Sequence, residues 1–159
     1  MRRQRAAFTL IEILIVVVIL GIVAAIVVPR MSDFSTVANE TNLKENLSKI
    51  RVHLQVYRNQ HAGFPDPSHL ADQLTKFTDF HGNTAAGRST QYRYGPYLEQ
   101  MPPNPISKLA SIRVASAPGE AAPPGDADAG WWYNPMTGIF CADLTPAHVD
   151  SDGVPYLTY

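Results

Sequence analysis

Glu12 is the residue in this chain best placed to do chemistry. It is the only charged side chain between Arg5 and Arg30, with Phe8-Thr9-Leu10-Ile11 before it and an unbroken apolar run to Val28 after it. A carboxylate at membrane depth is costly, about 2.5–3.5 kcal/mol at the centre of a spanning helix. A positive charge delivered by another copy of the chain would compensate that cost. The chemistry is therefore charge pairing between copies, which points to a subunit of an assembled fibre rather than a free enzyme.

Other reactive side chains form no constellation. His53, His61, His69, His81 and His148 are scattered, and none has the i, i+4 spacing with a glutamate that a zinc-protease helix uses. No glycine-rich phosphate loop and no nucleophile elbow is present, so the chain reads as no enzyme. Cys141 is the only cysteine, which excludes an internal disulfide and a cysteine-cluster metal site. It reads as a small apolar core residue. Asp150-Ser151-Asp152-Gly153 looks like the start of a calcium loop, but no glutamate follows at the EF-hand spacing before Tyr159. A plain turn is expected there, and no metal is assigned.

The elements that position Glu12 follow from the flanks. Met1 to Ala7 carries Arg2, Arg3 and Arg5 and no acid, so this end stays cytoplasmic and the rest crosses the membrane. Phe8 to Val28 is about 31 Å long as a helix, matching a bilayer core of about 30 Å. The run exceeds the apolar stretch of a secretory signal, and Val28-Pro29-Arg30-Met31 is a poor cleavage site. Gly21 and Ala24-Ala25 are small enough for a neighbouring helix to approach, or are simply tolerated. Pro29 either kinks the helix or ends the span.

The expected organisation is a leader over 1–7, a membrane helix over 8–29 and a globular domain over 30–159. With 159 residues, the chain can bury one modest core beyond its anchor. Net charge is −1, and about −4 without the leader arginines. No basic stripe with interleaved aromatics occurs, so nucleic acid is not an expected partner.

Beyond Pro29 the helical pattern continues. Leu43, Leu47, Ile50, Leu54 and Tyr57 form an apolar stripe, broadened on one side by Val52 and Val56. Glu40–Lys44 and Glu45–Lys49 are acid-before-base pairs suited to an exposed face. The helix should stop near His61-Ala62-Gly63, with glycine in the left-handed cap and Pro65 barring continuation. Asp66-Pro67 predicts a second helix start, with Leu70, Leu74 and Phe77 on its buried face. Gly95 to Pro105 is too proline-rich for regular structure and should lie extended over the core. Ser111 to Ala117 alternates as a strand, and Pro118 to Asp128 reads as an exposed loop or mobile insertion. Trp131-Trp132-Tyr133 and Ile139-Phe140-Cys141 predict a hairpin around Asn134–Gly138. One tryptophan belongs in the core; the other is partly covered by a loop or free to stack on a sugar or partner.

Two sets of residues carry a family resemblance. Ala7-Phe8-Thr9-Leu10-Ile11-Glu12 resembles the class III signal of type IV pilins and type II secretion pseudopilins, with alanine at position 7 where that family almost always has glycine. Gly95-Pro96-Tyr97-Leu98, Met101-Pro102 and Asn104-Pro105 are similar to a stretch of the major type II pseudopilin. Trp132-Tyr133-Asn134-Pro135-Met136-Thr137-Gly138, preceded by Trp131, resembles its hairpin. Ser107 to Asp128 is unmatched. The resemblance implies an α+β fold, with a long N-terminal helix packed on a small antiparallel sheet. It implies cleavage between Ala7 and Phe8 by a prepilin peptidase, N-methylation of Phe8, and pairing of Glu12 with the Phe8 amine of a neighbouring subunit. Implied partners are other pseudopilin subunits, the peptidase, an inner-membrane assembly platform and lipid. The implied location is the inner membrane, single-pass, with a periplasmic C-terminal domain. The family also admits calcium in its carboxyl-terminal loops. Alternatives are a minor type IV pilin, disfavoured by the lone Cys141, or a signal-anchored periplasmic enzyme or binding module using Trp131 and Trp132.

Overall fold

The computed structural model describes residues 9–159, apart from the side chains of 28–34. The chain divides into two compact units, Met1–Ala38 and Asn39–Tyr159. Helix α1, Leu10–His61, contributes to both. Its assignment continues through Pro29, so that proline does not end the helix. In the first unit Leu10–Val27 is long and apolar enough to cross a membrane, and none of it is buried.

In the second unit the stripe on α1 becomes one wall of the core. Leu43, Leu47, Ile50, Leu54 and Tyr57 are all buried, as their spacing predicts. Val52 and Val56 do not broaden it: they are 57% and 36% exposed. Both lie far enough round the helix to leave the buried stripe. At the C-terminus of α1 the left-handed residue is Ala62 (φ 57°), not Gly63.

The second helix is shorter than its sequence suggests. Asp66 Oδ1 accepts the Ser68 N–H at 2.7 Å, closing an Asx turn. Helix α2, Leu70–Thr75, starts only after it, with His69 as an N-cap whose side chain makes no capping bond. Leu70 and Leu74 are buried, but Phe77 has left the helix. It opens β1 (Phe77–Thr78), which pairs antiparallel with β2 (Thr84–Ala85).

The main sheet has β4 (Trp131–Tyr133) at its centre, antiparallel to β5 (Phe140–Ala142) and parallel to β3 (Ile112–Val114). The hairpin is the expected one. The parallel partner makes the sheet mixed rather than purely antiparallel, because residues 115–130 cross over before β4. In the hairpin turn Gly138 has φ 76°, and a Cβ there would lie 2.1 Å from Phe64 Cζ. Both the backbone angle and the space require glycine.

Gly130, just before β4, packs against the segment leading into β3, and a Cβ there would lie 2.0 Å from the Leu109 carbonyl oxygen. Gly130→Ala must push backbone from backbone at that junction. A cost of about 1–3 kcal/mol is expected, as for other overpacked sites, read as a lower denaturant midpoint at unchanged slope.

Successive residues of β4 face opposite sides. Trp131 and Tyr133 enter the core with Phe140, Leu144 and Tyr156. Trp131 lies tilted against Phe140, with ring centroids 5.4 Å apart, and donates from Nε1 to the Pro102 carbonyl at 2.8 Å. Trp132 is equally inaccessible, on the other face, where Val114, Glu120 and Pro124 lie around it. The 118–128 segment is thus no free insertion. The Asn134 amide donates to the carbonyls of Pro118 and Glu120 at 3.2 and 2.8 Å, and Arg113 holds Asp126 and Asp128. The Gly95–Pro105 stretch lies over the core without regular structure. Tyr97 and Leu98 N–H groups donate to the Leu74 carbonyl, and buried Asn104 donates to the Gly130 carbonyl at 2.7 Å.

Candidate assembly site

Thr9 and Glu12 open α1 together. The Glu12 N–H donates to the Thr9 carbonyl at 3.1 Å and to Thr9 Oγ1 at 3.3 Å, which makes Thr9 the N-cap and Glu12 the third residue of the helix. Thr9-Leu10-Ile11-Glu12 is a capping-box sequence, a signal present in the chain but masked by the apolar run around it. An acid in the first turn also faces the positive end of the helix dipole. Glu12 is thereby seated at the amino-terminal rim of the anchor rather than at its middle. Ala7 and Phe8, the expected cleavage and methylation positions, lie outside the described residues.

A second polar cluster joins α1 to the chain's end. Lys44 Nζ lies 2.6 Å from Glu40 Oε1 and 3.9 Å from Asp150 Oδ2, and sits 4.9 Å from the centre of the Tyr159 ring. Glu40 Oε2 accepts the Ser151 N–H at 3.2 Å. Glu40 is therefore turned inward and buried, contrary to the exposed face expected of its pair with Lys44. Lys44 holds the Glu40 carboxyl below its ordinary range, with the Ser151 N–H acting the same way. The Tyr159 hydroxyl, followed by the Val154 N–H, does so for Asp150.

A third cluster centres on Arg113. Its guanidinium reaches Asp126 Oδ1 at 2.8 Å, Asp128 Oδ2 at 2.9 Å and Asp143 Oδ2 at 3.2 Å. Asp143 is wholly buried; its Oδ2 also accepts the Ala129 N–H at 3.1 Å, and its Oδ1 has no partner. Burial pushes the Asp143 carboxyl up, against the pull of Arg113. Arg113 carries no sequence signal, because its partners arrive 13 or more residues later through the crossover.

The calcium that the resemblance admits is not matched by these donors. Among the described residues no three His, Cys, Asp or Glu side chains gather to hold a metal ion. Asp150 Oδ1 is occupied by the N–H groups of Asp152 and Val154 at 2.9 and 2.8 Å, and Oδ2 by the Tyr159 hydroxyl. A calcium ion needs six to eight oxygen ligands, but what faces these oxygens is hydrogen-bond donors.

The histidines bond separate partners, although His81 lines one cleft with His61 and another with His69. His61 stacks on Tyr57 at 3.9 Å and bonds Thr78 Oγ1 at 3.0 Å; His69 meets Asp66, and His148 meets Thr145. Cys141 is buried, and burial pushes its thiol up despite nearby Arg51. Neither tryptophan offers a free ring, which removes the basis for a sugar platform.

An apolar, uncovered first helical stretch with an acid in its first turn, joined in sequence to a small α+β domain, defines a pilin-like subunit. The family described as the prokaryotic N-terminal methylation motif matches residues 2–28. The chain is 32% identical to type II secretion system core protein G of Pseudomonas aeruginosa over 145 residues, which cover 84% of this chain and 99% of that protein. It is 25% identical to the protein of the same name from Dickeya chrysanthemi, over 83% of this chain and 89% of that one. The type IV narrow pilus major component PilA5 of Thermus thermophilus is 41% identical over 80 residues, half of this chain and 64% of that one. No solved structure matches significantly. The chain belongs to the type II secretion system core protein G family: it is a G-type pseudopilin, a structural subunit of the pseudopilus.

Proposed function

We propose that this subunit enters the inner membrane with its leader cytoplasmic and its domain periplasmic, and is cut between Ala7 and Phe8 by a prepilin peptidase. Phe8 is then N-methylated. The Glu12 carboxylate pairs with the Phe8 ammonium of the subunit already in place, and stacked helices build the filament on an inner-membrane assembly platform. The observation that carries this reading is Glu12 itself, an isolated acid in the otherwise lipid-compatible stretch Leu10–Val27 that opens α1. The amine supports the pairing because an α-amino group is largely protonated at neutral pH. Charge pairing in a poor solvent for ions also fixes axial register, since a slipped subunit leaves both charges unpartnered.

Coexpression with a prepilin peptidase tests the first step. Intact-mass measurement is expected to give a product lacking Met1–Ala7 and carrying one added methyl group. A product of unchanged mass would leave the chain an ordinary membrane-anchored protein and remove the amine on which assembly depends. The substitution of glycine by Ala7 bears on the rate of the cut, so Ala7→Gly serves as the internal comparison.

A further inference from the structure

We propose that Arg113 and Lys44 act as internal cations that close the two carboxylate-bearing loops of the domain, so that neither loop needs a divalent metal to fold. Each loop brings acids together from distant parts of the chain, and each has a basic side chain at the meeting point. Arg113 uses three nitrogens on three carboxylates: Nη1 on Asp126, Nη2 on Asp128 and Nε on Asp143. The rigid fork of a guanidinium suits this convergence better than a point charge. Asp126 and Asp128 are exposed, and their pairs alone would hold little. Asp143 is fully buried, so removal of Arg113 strands a carboxyl without the cation that meets it.

At the other loop, Lys44 lies between Glu40 and Asp150, while Tyr159 covers it with its ring and donates its hydroxyl to Asp150. The backbone N–H groups of Ser151, Asp152 and Val154 take three of the remaining acceptor sites. A metal centred on either cluster would compete with the cation already there. This arrangement is independent of how the subunits assemble.

The test uses the full-length protein in detergent, followed by tryptophan fluorescence on heating and by limited proteolysis within 118–128. Wild-type midpoints in EDTA and in millimolar calcium are expected to agree within about 1 °C, whereas a bound structural ion would separate them by more than about 5 °C. Arg113→Gln is expected to lower the midpoint and speed cleavage of 118–128 on the order of tenfold without metal. Arg113→Lys should retain part of the protection. A calcium-dependent wild-type midpoint overturns the proposal, as does an Arg113→Gln protein that melts and resists protease like wild type in EDTA. Should Arg113→Gln fail to fold, the wild-type comparison and Lys44→Gln decide. The latter is expected to release the Tyr159 end to carboxypeptidase, and unchanged resistance counts against the proposal.

Discussion

Glu12→Ala is expected to leave the subunit in the membrane and abolish its filaments. Removing a carboxylate from an apolar helix lowers the cost of insertion, so the membrane-bound fraction should hold or rise. Assembly should respond in the opposite direction. Without Glu12, each Phe8 ammonium enters the helix bundle with no counter-charge, and breaking a buried pair by deleting one partner costs about 3–5 kcal/mol. That amounts to roughly 10²–10⁴ in the equilibrium for adding each subunit, enough to prevent growth. Glu12→Gln separates charge from capping, because glutamine still fits the third position of a capping box. It too should insert and fail to assemble. Fractionation followed by recovery of sheared filaments measures both properties, and normal filaments from either variant would refute the pairing.

Trp131→Ala should be the most damaging single change in the globular unit. The indole is fully buried, packs on Phe140 and supplies the bond to the Pro102 carbonyl that fastens the proline-rich stretch. Truncating a large buried aromatic costs about 3–5 kcal/mol. The stranded carbonyl adds about 1–3 kcal/mol wherever water cannot reach it. Against a typical total of about 5–15 kcal/mol, that removes roughly a quarter or more of the domain's stability. The expected result is a large fall in the urea midpoint of the folded domain. A shift below about 1 kcal/mol would mean that the sheet, and not its aromatic face, carries the core.

What the residues alone determined is whatever depends on neighbours close in sequence. The anchor needs only length and apolarity; the buried stripe from Leu43 to Tyr57 needs only the helical repeat; the Trp131–Ala142 hairpin needs only its turn residues. The motif around Glu12 is local in the same way; the Thr9 cap has a local signal too, but the apolar run conceals it.

Tertiary structure decided whatever depends on encounters across long separations. Trp132 suits either environment by local pattern, and the 118–128 segment is what covers it. That segment has a composition typical of mobile loops, yet the Asn134 amide and the Arg113 guanidinium pin it down. The parallel pairing of β3 required a crossover that no local pattern encodes. Glu40 belonged on an exposed face by helical spacing, and was drawn inward by the Ser151 N–H, 111 residues away. Periodicity reports which side of an element is apolar; it carries no information about which distant donor will satisfy a buried acceptor. That choice is made only when the whole domain closes around it.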